Sequence, residues 1–419
     1  MTVTTDELID KAAGAKAASV VLAQASSDLK NRALLAIADA MRRRTSEIVA
    51  ANTQDCANAS PRIEIDRLRL TPERVAAMAR DVEAVAALPD PIGEQFDRIT
   101  RPNGLTISKR RVPIGVVGVV YESRPNVTSD VAAICLKTGN AVVLRGGSEA
   151  LSSNRAIAAA IHAGLKEAGL PEGAVQLITS TDRALVERML KLRAYLDVII
   201  PRGGEGLIKA TIEHATIPVI ETGAGVCHTF VDRAADPAMA LRIVFNAKVR
   251  RPTICNALDT LLVHREIAPA WLPQMAAEWG KARVEIRADP EASRLLAASG
   301  TAAVTAEPGD FGKEFLSLAA AVKIVGSLDE ALEHIRTYGS GHSEAIVTED
   351  AGAAQRFLNE VDAAAVFVNA STQFTDGGEF GLGTEVGIST QKLHARGPMG
   401  LRELTTYKWI VEGTGQIRP

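Results

Sequence analysis

The sequence predicts an α/β protein that contains a doubly covered parallel sheet. From residue 114 onward, short β-branched runs alternate with longer windows of helical periodicity, the pattern of strand–helix–strand units. The predicted strands are apolar throughout, as in sheets that helices cover on both faces. The 419 residues are too many for one ordinary core and suit two substantial domains. Such sheets bind ligands where strands end and helices begin, so we expect the functional residues there.

The part before residue 114 is predicted to be mostly helical. Apolar residues recur at helical spacing within residues 6–60, and a second helix is expected from Pro72, a favoured first-turn residue, to about Leu88. Proline and glycine then cluster over 89–93, which predicts a linker. The Asn103-Gly104 pair predicts a tight turn between two strands within 99–107.

The two α/β series are then assigned in chain order. In the first series, strands are expected at 116–121, 141–144, 175–179, 197–200 and 218–220, with helices near 128–138, 149–168, 182–194 and 204–214. After a helix at 237–249, the second series is expected to have strands at 259–263, 321–325, 344–347 and 365–368, and a helix at 328–338. Residues 375–387 are predicted to form a glycine-rich loop, and 405–411 a last strand.

The composition excludes several classes of protein. With 47% hydrophobic residues, 23% charged residues and a net charge of -3, the chain has nothing that recruits nucleic acid or an anionic membrane surface. The amino terminus carries no apolar signal region, and the longest apolar stretch, 114–121, is far shorter than the roughly 20 residues that cross a bilayer. Four cysteines at unrelated spacings favour a reducing, cytoplasmic location.

Cys255 is the best candidate for a nucleophile. It follows Lys248, Arg250 and Arg251, and nearby cations favour the reactive thiolate. It also precedes an apolar strand, where a side chain can face a cleft. The local sequence leaves open the alternative that Cys255 is a buried structural cysteine. Cys135, on the apolar face of a predicted helix, is interpreted as part of the core.

Other reactive groups are less well supported. Glu221 ends an apolar strand and is a candidate base, or alternatively a partner for backbone N–H groups. Cys227 and His228 are not expected to act as a pair, because neighbouring strand residues point to opposite faces. The seven histidines show no ligand spacing, so no metal is expected.

Two glycine-rich turns between strand and helix predict a nucleotide site. Leu144–Ser148 and Pro201–Gly206 both place backbone N–H groups at a helix start, where phosphate binds well. Arg145 suits a bidentate contact with phosphate. Ser148 is a second candidate contact, whose alternative role is to cap its helix. The usual G-x-G-x-x-G fingerprint is missing, so neither turn is specific alone.

Four separated motifs stand in a fixed order along the chain: Val112–Thr128, Leu144–Ala150, Arg251–Leu258 and Leu393–Gly400. Together they resemble the aldehyde dehydrogenase superfamily. The ending Tyr-Glu-Ser-Arg-Pro-Asn-Val-Thr of the first motif is typical of the reductase branch that acts on γ-glutamyl phosphate, where general aldehyde dehydrogenases have a Pro-Trp-Asn sequence. The resemblance covers nearly the whole chain. Two departures from the broad pattern are an Arg in place of Lys at 145 and a longer interval between Asn246 and Cys255.

The resemblance implies three structural parts. A Rossmann-type cofactor-binding domain would comprise residues 1–97 and 113–222, and an α/β catalytic domain residues 223–395. Residues 98–112 and 396–419 would form a small β oligomerisation element, which implies a homodimer or homotetramer.

The resemblance also implies roles for single residues. Cys255 would be the nucleophile, and Asn126 would stabilise the oxyanion. The cofactor NADP(H) would be contacted by Arg145, Ser148, Gly203, Gly204 and Glu314. Glu221 falls at the general base of hydrolytic members. The substrate-binding candidates are Ser123, Arg124 and Arg251.

The implied reaction is the NADPH-dependent reduction of γ-glutamyl phosphate to glutamate γ-semialdehyde and phosphate, through a thioester on Cys255, in proline biosynthesis. The glutamate kinase that makes this substrate is a candidate partner, whereas nucleic acid and membrane are not expected. The alternatives are a hydrolytic or CoA-acylating aldehyde dehydrogenase on the same fold, and a non-catalytic cofactor-binding protein.

Overall fold

The computed structural model describes residues 6–60, 65–182 and 184–418. The chain divides into two compact units, the first comprising 1–222, 381–387 and 399–419, and the second 223–380 and 388–398. One break falls after Thr222, and residues 381–387, which lie within the range 223–395 predicted for the catalytic domain, belong to the first unit. The functions assigned to the domains remain predictions.

The first unit begins with helices α1 Glu7–Leu22, α2 Ser27–Arg43, α3 Thr45–Asn58, α4 Ile65–Leu68 and α5 Pro72–Ala87. The helical segment predicted for 6–60 is therefore divided into separate helices. The first division has a local cause, because the Ser26 side chain accepts a hydrogen bond from the N–H of Leu29 and so starts a new helix. Thr71 caps α5 in the same way, and Pro72 occupies its first turn as predicted.

A hairpin follows the helices. Its strands are β1 Gln95–Thr100 and β2 Thr106–Pro113, which pair antiparallel. Gly104 lies between them with a φ of 87°, a left-handed conformation that glycine adopts without steric cost. The turn predicted at Asn103-Gly104 is confirmed.

The first parallel sheet is built from the next elements, which are β3 Val116–Tyr121, α6 Asn126–Lys137, β4 Ala141–Arg145, α7 Leu151–Ala168, β5 Val175–Leu177, α8 Ala184–Met189, β6 Val198–Arg202 and α9 Glu205–His214. The strand order is β5-β4-β3-β6, and all neighbours are parallel. The strand predicted at 218–220 is wrong. Only Val219 forms a bridge, to Ile199, since Pro218 has no N–H to donate to a ladder.

The second unit contains β7 Cys227–Val231, α10 Pro237–Val249, β8 Leu258–His264, α11 Ala268–Lys281, β9 Glu285–Ala288, α12 Pro290–Ala298, β10 Val304–Thr305, β11 Ala319–Val325, α13 Leu328–Tyr338, β12 Ser343–Val347, α14 Ala351–Glu360, β13 Ala365–Val368, β14 Ile388–Ser389 and β15 Gly397–Pro398. Its main sheet has the order β10-β9-β11-β8-β7-β12-β13 with parallel neighbours throughout. Helices cover this sheet, and Trp271 and Trp279 of α11 are buried against it.

The last strand, β16 Thr405–Glu412, returns to the first unit. It pairs antiparallel with β2 and completes a small sheet of order β1-β2-β16. The α/β fold class predicted from the sequence, with parallel sheets and a small antiparallel element, is confirmed by this architecture.

Candidate active site

In the first unit, the carboxyl ends of β4, β3 and β6 lie side by side because these strands are parallel neighbours. The backbone N–H of Glu122 donates to the carbonyl of Arg202 at 3.1 Å, which extends the pairing of β3 and β6 beyond Tyr121. The loop after β3 and both glycine-rich turns therefore share one edge of the sheet. This is the edge at which parallel α/β sheets bind ligands.

A carboxylate lies over the turn that contains Gly203 and Gly204. The N–H of Gly204 donates to Glu122 Oε2 at 2.9 Å, and a Cβ built on Gly203 would overlap the same carboxylate. Gly204 precedes α9, so Glu122 places its charge at a helix N-terminus, where an anion is favoured. The predicted anion-binding N–H is present, and in this structure it binds a side chain of the protein itself.

A carboxylate, Glu149, also directly follows the other glycine-rich turn. Its Oε1 accepts hydrogen bonds from the N–H and the Oγ of Ser123, at 2.7 and 3.1 Å. Ser123 lies in the loop after β3 and adopts a left-handed φ of 51°. Ser148 is exposed and begins a 3₁₀ turn, Ser148–Ala150. Because α7 begins only at Leu151, the alternative role of Ser148 as its cap is wrong. Ser148 thus remains accessible at the sheet edge.

Arg145, the last residue of β4, is buried. Its Nη1 donates to the carbonyl of Gly146 at 2.7 Å, and its Nη2 lies 3.4 Å from the carbonyl of Thr181. Its Nε is buried without a hydrogen-bond partner among the described residues. A buried donor of this kind is costly unless a ligand or water satisfies it, so the position suits a cofactor contact.

Asn126 is the first residue of α6, and its carboxamide is held by the same helix. Nδ2 donates to Asp130 Oδ2 at 2.7 Å, and the side chain of Asn126 is half-buried. Arg124, two residues earlier, is exposed. Asn126 therefore presents a fixed amide at the start of a helix, next to the edge formed by the strand ends.

In the second unit, Cys255 lies in a turn just before β8 and is half-buried. The neighbouring Asn256 anchors this turn, because its Nδ2 donates to the carbonyl of Thr375 at 3.0 Å and its own carbonyl accepts from Thr372 Oγ1 at 2.7 Å. The turn that carries the thiol is therefore tied to the glycine-rich region after β13.

Gly225 and Glu314 lie beside Cys255. A Cβ built on Gly225 would overlap the carbonyl oxygen of Cys255, so only glycine fits. The N–H of Gly225 donates to Glu314 Oε1 at 2.9 Å. The structure thus brings together the predicted nucleophile and the carboxylate predicted to contact the cofactor, with Gly225 between them.

A second thiol supports the same carbonyl. Cys227 Sγ lies 3.2 Å from the carbonyl oxygen of Cys255 and 3.8 Å from Nδ1 of the buried His342. Burial raises the pKa of the Cys227 thiol well above its usual value, and the carboxylates of Asp259 and Glu344 raise it further. Cys227 therefore stays protonated and donates a hydrogen bond.

His228 turns away from Cys227, as expected for neighbouring strand residues. Its Nδ1 lies 3.0 Å from Glu344 Oε2, within the protein interior. The expectation that Cys227 and His228 do not act as a pair is confirmed.

The cations before Cys255 have different surroundings. Lys248 is buried, donates to the carbonyl of Leu258 at 2.8 Å and lies 3.6 Å from Asp259 Oδ1. Burial lowers the pKa of Lys248 and raises the pKa of Asp259 to about 7. The attraction between the two opposite charges opposes both shifts. Arg250 lies 3.3 Å from Gln373 Oε1, whereas Arg251 is exposed. Lys248 thus has the buried carboxylate of Asp259 beside it, and the effect of the three cations on the Cys255 thiolate stays a prediction.

Glu221 is half-buried in the irregular segment after the Val219 bridge.

In the described part of the chain, no cluster of His, Cys, Asp or Glu side chains could hold a metal ion. None of the described helices is long and apolar enough to span a membrane.

Comparison with known proteins places the chain in a family. The model of the aldehyde dehydrogenase family matches residues 2–294. A γ-glutamyl phosphate reductase from Dehalococcoides mccartyi is 56% identical over 417 residues, which cover 98% of each chain. The γ-glutamyl phosphate reductase of Carboxydothermus hydrogenoformans is 54% identical, over 99% of this chain and 100% of its own. The chain belongs to the γ-glutamyl phosphate reductase family.

A solved structure agrees with this placement. The crystal structure of γ-glutamyl phosphate reductase from Thermotoga maritima has a TM-score of 0.96 and 48% sequence identity, and it covers 99% of this chain and 100% of its own. The protein is accordingly an oxidoreductase of the aldehyde dehydrogenase superfamily, and this superfamily uses a nicotinamide cofactor.

Three residues that contact candidate site residues were given no role from the sequence, namely Asp130 in the first unit and Gly225 and Cys227 in the second. Asp130 had a readable signal, because a carboxylate four residues after an Asn on a helix can bond to it. Gly225 and Cys227 had no local signal, since their partner is the backbone of Cys255, far along the chain.

Proposed function

We propose that this protein reduces γ-glutamyl phosphate to glutamate γ-semialdehyde and phosphate, with NADPH as reductant, in proline biosynthesis. The observation that carries the proposal is full-length similarity, at 54–56% identity, to γ-glutamyl phosphate reductases. The Glu122-Ser123-Arg124-Pro125-Asn126 motif and Cys255 support it, because both belong to the pattern of that branch.

The first chemical step uses Cys255. Its thiolate attacks the acyl carbon of the substrate, and Asn126 with a backbone N–H stabilises the oxyanion. Collapse of the tetrahedral intermediate breaks the bond to phosphate, which leaves with its electron pair, and a thioester remains on Cys255. The contacts of Gly225 and Cys227 with the Cys255 carbonyl support the proposal, because they hold the nucleophile's backbone in one position.

The thioester then accepts a hydride, which the reduced nicotinamide supplies when the cofactor is bound. Hydride addition leaves a thiohemiacetal alkoxide, which reforms the carbonyl, breaks the C–S bond and so releases the aldehyde and the thiolate. We assign Arg145, Ser148, Gly203 and Gly204 to the cofactor, together with Glu314. The unpartnered Nε of Arg145 supports its assignment.

A preference for NADPH over NADH follows from two cations. Arg145 and Arg202 stand at the ends of β4 and β6, beside the two glycine-rich turns, and NADPH carries one more phosphate than NADH. Equal kcat/KM values for the two cofactors would remove this part of the proposal.

The substrate's own amino and carboxylate groups need partners. We assign them to Ser123, Arg124 and Arg251, of which both arginines are exposed. Arginine suits bidentate recognition of a carboxylate, so Arg124 and Arg251 would bind the substrate carboxylate. Replacement of either by Gln should raise the KM for γ-glutamyl phosphate while the KM for NADPH stays unchanged.

Glu221 has no obligatory task in this reaction, because no hydrolytic water is needed. The competing function is a hydrolytic or CoA-acylating aldehyde dehydrogenase, in which the thioester is transferred to water or to a thiol. The deciding experiment is a coupled assay in which glutamate kinase and ATP generate γ-glutamyl phosphate and NADPH oxidation is followed. Oxidation that requires the kinase and disappears in Cys255→Ala supports the proposal, and its absence in the wild-type protein rejects it.

We further propose that copies of the chain associate through β16 as a homodimer, or as a homotetramer built from such pairs. This strand is an edge of its sheet, and Tyr407, Trp409 and Val411 alternate along it with exposed fractions of 47%, 56% and 57%. An apolar edge strand readily pairs with another chain. Trp409→Glu should convert the oligomer to monomers in size-exclusion chromatography with light scattering.

The last part of the proposal concerns the location of the protein in the cell and its partner. We propose a cytoplasmic location, supported by the unrelated spacings of the four cysteines, which form no disulfide framework. Direct transfer of the labile acyl phosphate from glutamate kinase would suit such a location, and co-purification of the two enzymes tests this.

A further inference from the structure

Asp130 is a carboxylate for which the proposed mechanism has no use. It lies on α6 one turn after Asn126, is half-buried, and accepts a hydrogen bond of 2.7 Å from Asn126 Nδ2. Ser129 Oγ lies 3.3 Å from Asp130 Oδ1 and donates to the carbonyl of Asn126 at 2.9 Å. The first turn of α6 thus forms a small network around the carboxamide of Asn126.

The chemistry of the partner determines which way the carboxamide faces. An ionised carboxylate only accepts hydrogen bonds, so the nitrogen of Asn126, and not its oxygen, must face Asp130. An amide nitrogen carries two N–H groups, and Asp130 engages one of them. The second N–H is left in a defined direction, which is what a preorganised oxyanion donor requires.

Protonation of Asp130 removes this selectivity. A protonated carboxyl can donate to the amide oxygen, so the carboxamide can rotate by half a turn and exchange the positions of its nitrogen and oxygen. The oxyanion would then meet an acceptor in one of the two orientations. Only the ionised form of Asp130 therefore holds Asn126 in one orientation.

We propose that Asp130 is a positioning residue, which fixes the Asn126 carboxamide so that its second N–H serves the oxyanion. This inference rests on the proposed function of Asn126 in reduction of the acyl phosphate. Asp130 itself acts through Asn126 and has no contact of its own with the reacting atoms in this scheme.

The charges around Asp130 place its titration in a useful range. The pKa of Asp130 is raised to about 6, mainly by burial. The hydrogen bond from Asn126 opposes this rise, and the negative charge of Asp81 on α5 adds to it. The bond from Ser129 and the positive charge of Arg202, at the end of β6, lower it. At neutral pH the carboxylate form predominates, and it is lost as the pH falls through about 6.

The test compares Asp130→Asn with the wild-type enzyme in the kinase-coupled assay. We expect kcat to fall about 10- to 100-fold at pH 7.5, which is no more than the fall in kcat that removal of one oxyanion donor causes. The KM for NADPH should change less than about threefold. The ratio of wild-type to variant rates should approach one as the pH falls from 7.5 to 5, because the wild-type carboxylate becomes protonated. Asp10→Asn, an exposed carboxylate on α1, serves as control and should leave kcat unchanged.

A double variant separates positioning from a structural effect. In an Asn126→Ala background, Asp130→Asn should lower kcat by less than about twofold, since the side chain through which it acts is gone. An equal loss in both backgrounds, or a rate ratio that does not change with pH, would overturn the proposal.

A third variant covers the case in which Asp130→Asn fails to fold. Asp81 is exposed, so Asp81→Asn should fold, and removal of its negative charge should move the acid limb of the wild-type profile to lower pH. If the acid limb of the pH profile does not move in Asp81→Asn, Asp130 is not the group that titrates there, and the proposal is overturned. Absence of NADPH-dependent reduction in the wild-type protein would instead reject the proposed function.

Discussion

The carbonyl oxygen of Cys255 packs so closely against Gly225 that a Cβ on this glycine would overlap it. The contact is between backbone atoms, so no side-chain rotation can relieve it. Gly225 also donates its N–H to Glu314, at 2.9 Å. Gly225 therefore positions the backbone of Cys255, the predicted nucleophile. Gly225 is held in turn by Glu314, which is predicted to contact the cofactor.

Gly225→Ala should displace the Cys255 turn. We expect kcat to fall at least about 100-fold, because misplacement of a nucleophile by about 1 Å has effects of this size. The alkylation rate of Cys255 by iodoacetamide, measured by mass spectrometry, should change as well. The matched control is Gly280→Ala on α11, where no heavy atom of another described element lies within 4 Å of the added Cβ. Equal activities of the two variants would contradict the assignment.

The two neighbouring thiols should behave differently. Cys255→Ala should abolish reduction while NADPH binding, followed by fluorescence, survives. Cys227→Ser keeps a donor for the Cys255 carbonyl and should retain activity within about tenfold, whereas Cys227→Ala leaves that carbonyl without its thiol partner and should lose more. Mass spectrometry of the enzyme quenched during turnover should find the acyl group on Cys255. An adduct on Cys227 would reverse these roles.

Glu7 should contribute stability that depends on pH. Burial alone would raise the pKa of Glu7, but hydrogen bonds from Lys11 and from the side chain and N–H of Thr179 lower it to about 2. The folded-state pKa is below the ordinary glutamate pKa of 4.5, so the stabilisation is fully present above about pH 4.5 and is lost as the pH falls toward 2.

Glu7→Gln should therefore reduce the free energy of unfolding by about 1–2 kcal/mol at pH 7 and by clearly less at pH 3. Denaturant titration at the two pH values measures both differences. Glu187→Gln, an exposed carboxylate on α8, is the control and should show no such pH dependence. A loss from Glu7→Gln that is the same at both pH values would contradict this account.

The fold was predictable where one physical signal dominated. Strands such as 116–121 are covered on both faces, so their apolar runs are continuous and unambiguous. Helix α11 escaped prediction because Pro269 and Pro273 argue against a helix. In the structure the first proline lies in the opening turn, and Trp271, Met275 and Trp279 share a buried face. Tertiary packing thus outweighs the local effect of Pro273.

Candidate site residues could be predicted where a motif is contiguous. Cys255 and Asn126 each stand in a run of residues typical of the branch, and the sequence therefore indicates them directly. Asp130 and Gly225 act on those two residues through contacts of a helix turn and of a distant backbone segment. Such relationships depend on the packing of strands and helices, which no single motif contains.

The reverse reaction should require inorganic phosphate. A hydrolytic aldehyde dehydrogenase resolves its thioester with water that a general base activates, whereas this enzyme must release the acyl group to phosphate. Oxidation of glutamate semialdehyde with NADP⁺ should therefore stall after about one turnover per Cys255 in phosphate-free buffer. Added phosphate, or arsenate as its mimic, should restore continuous formation of NADPH, measured by absorbance.

Glu221 provides the control that separates the two chemistries, because it falls where hydrolytic members carry their base. If phosphate is the acceptor, Glu221→Gln should leave phosphate-dependent turnover within about tenfold of the wild-type rate, less than the 10²–10⁴-fold effect typical of a general base. Steady NADPH formation without phosphate, abolished by Glu221→Gln, would contradict the proposed reaction and indicate hydrolysis. A phosphate requirement in the wild-type enzyme, which still carries Glu221, would show that the thioester is protected from water by its surroundings and not by the lack of a base.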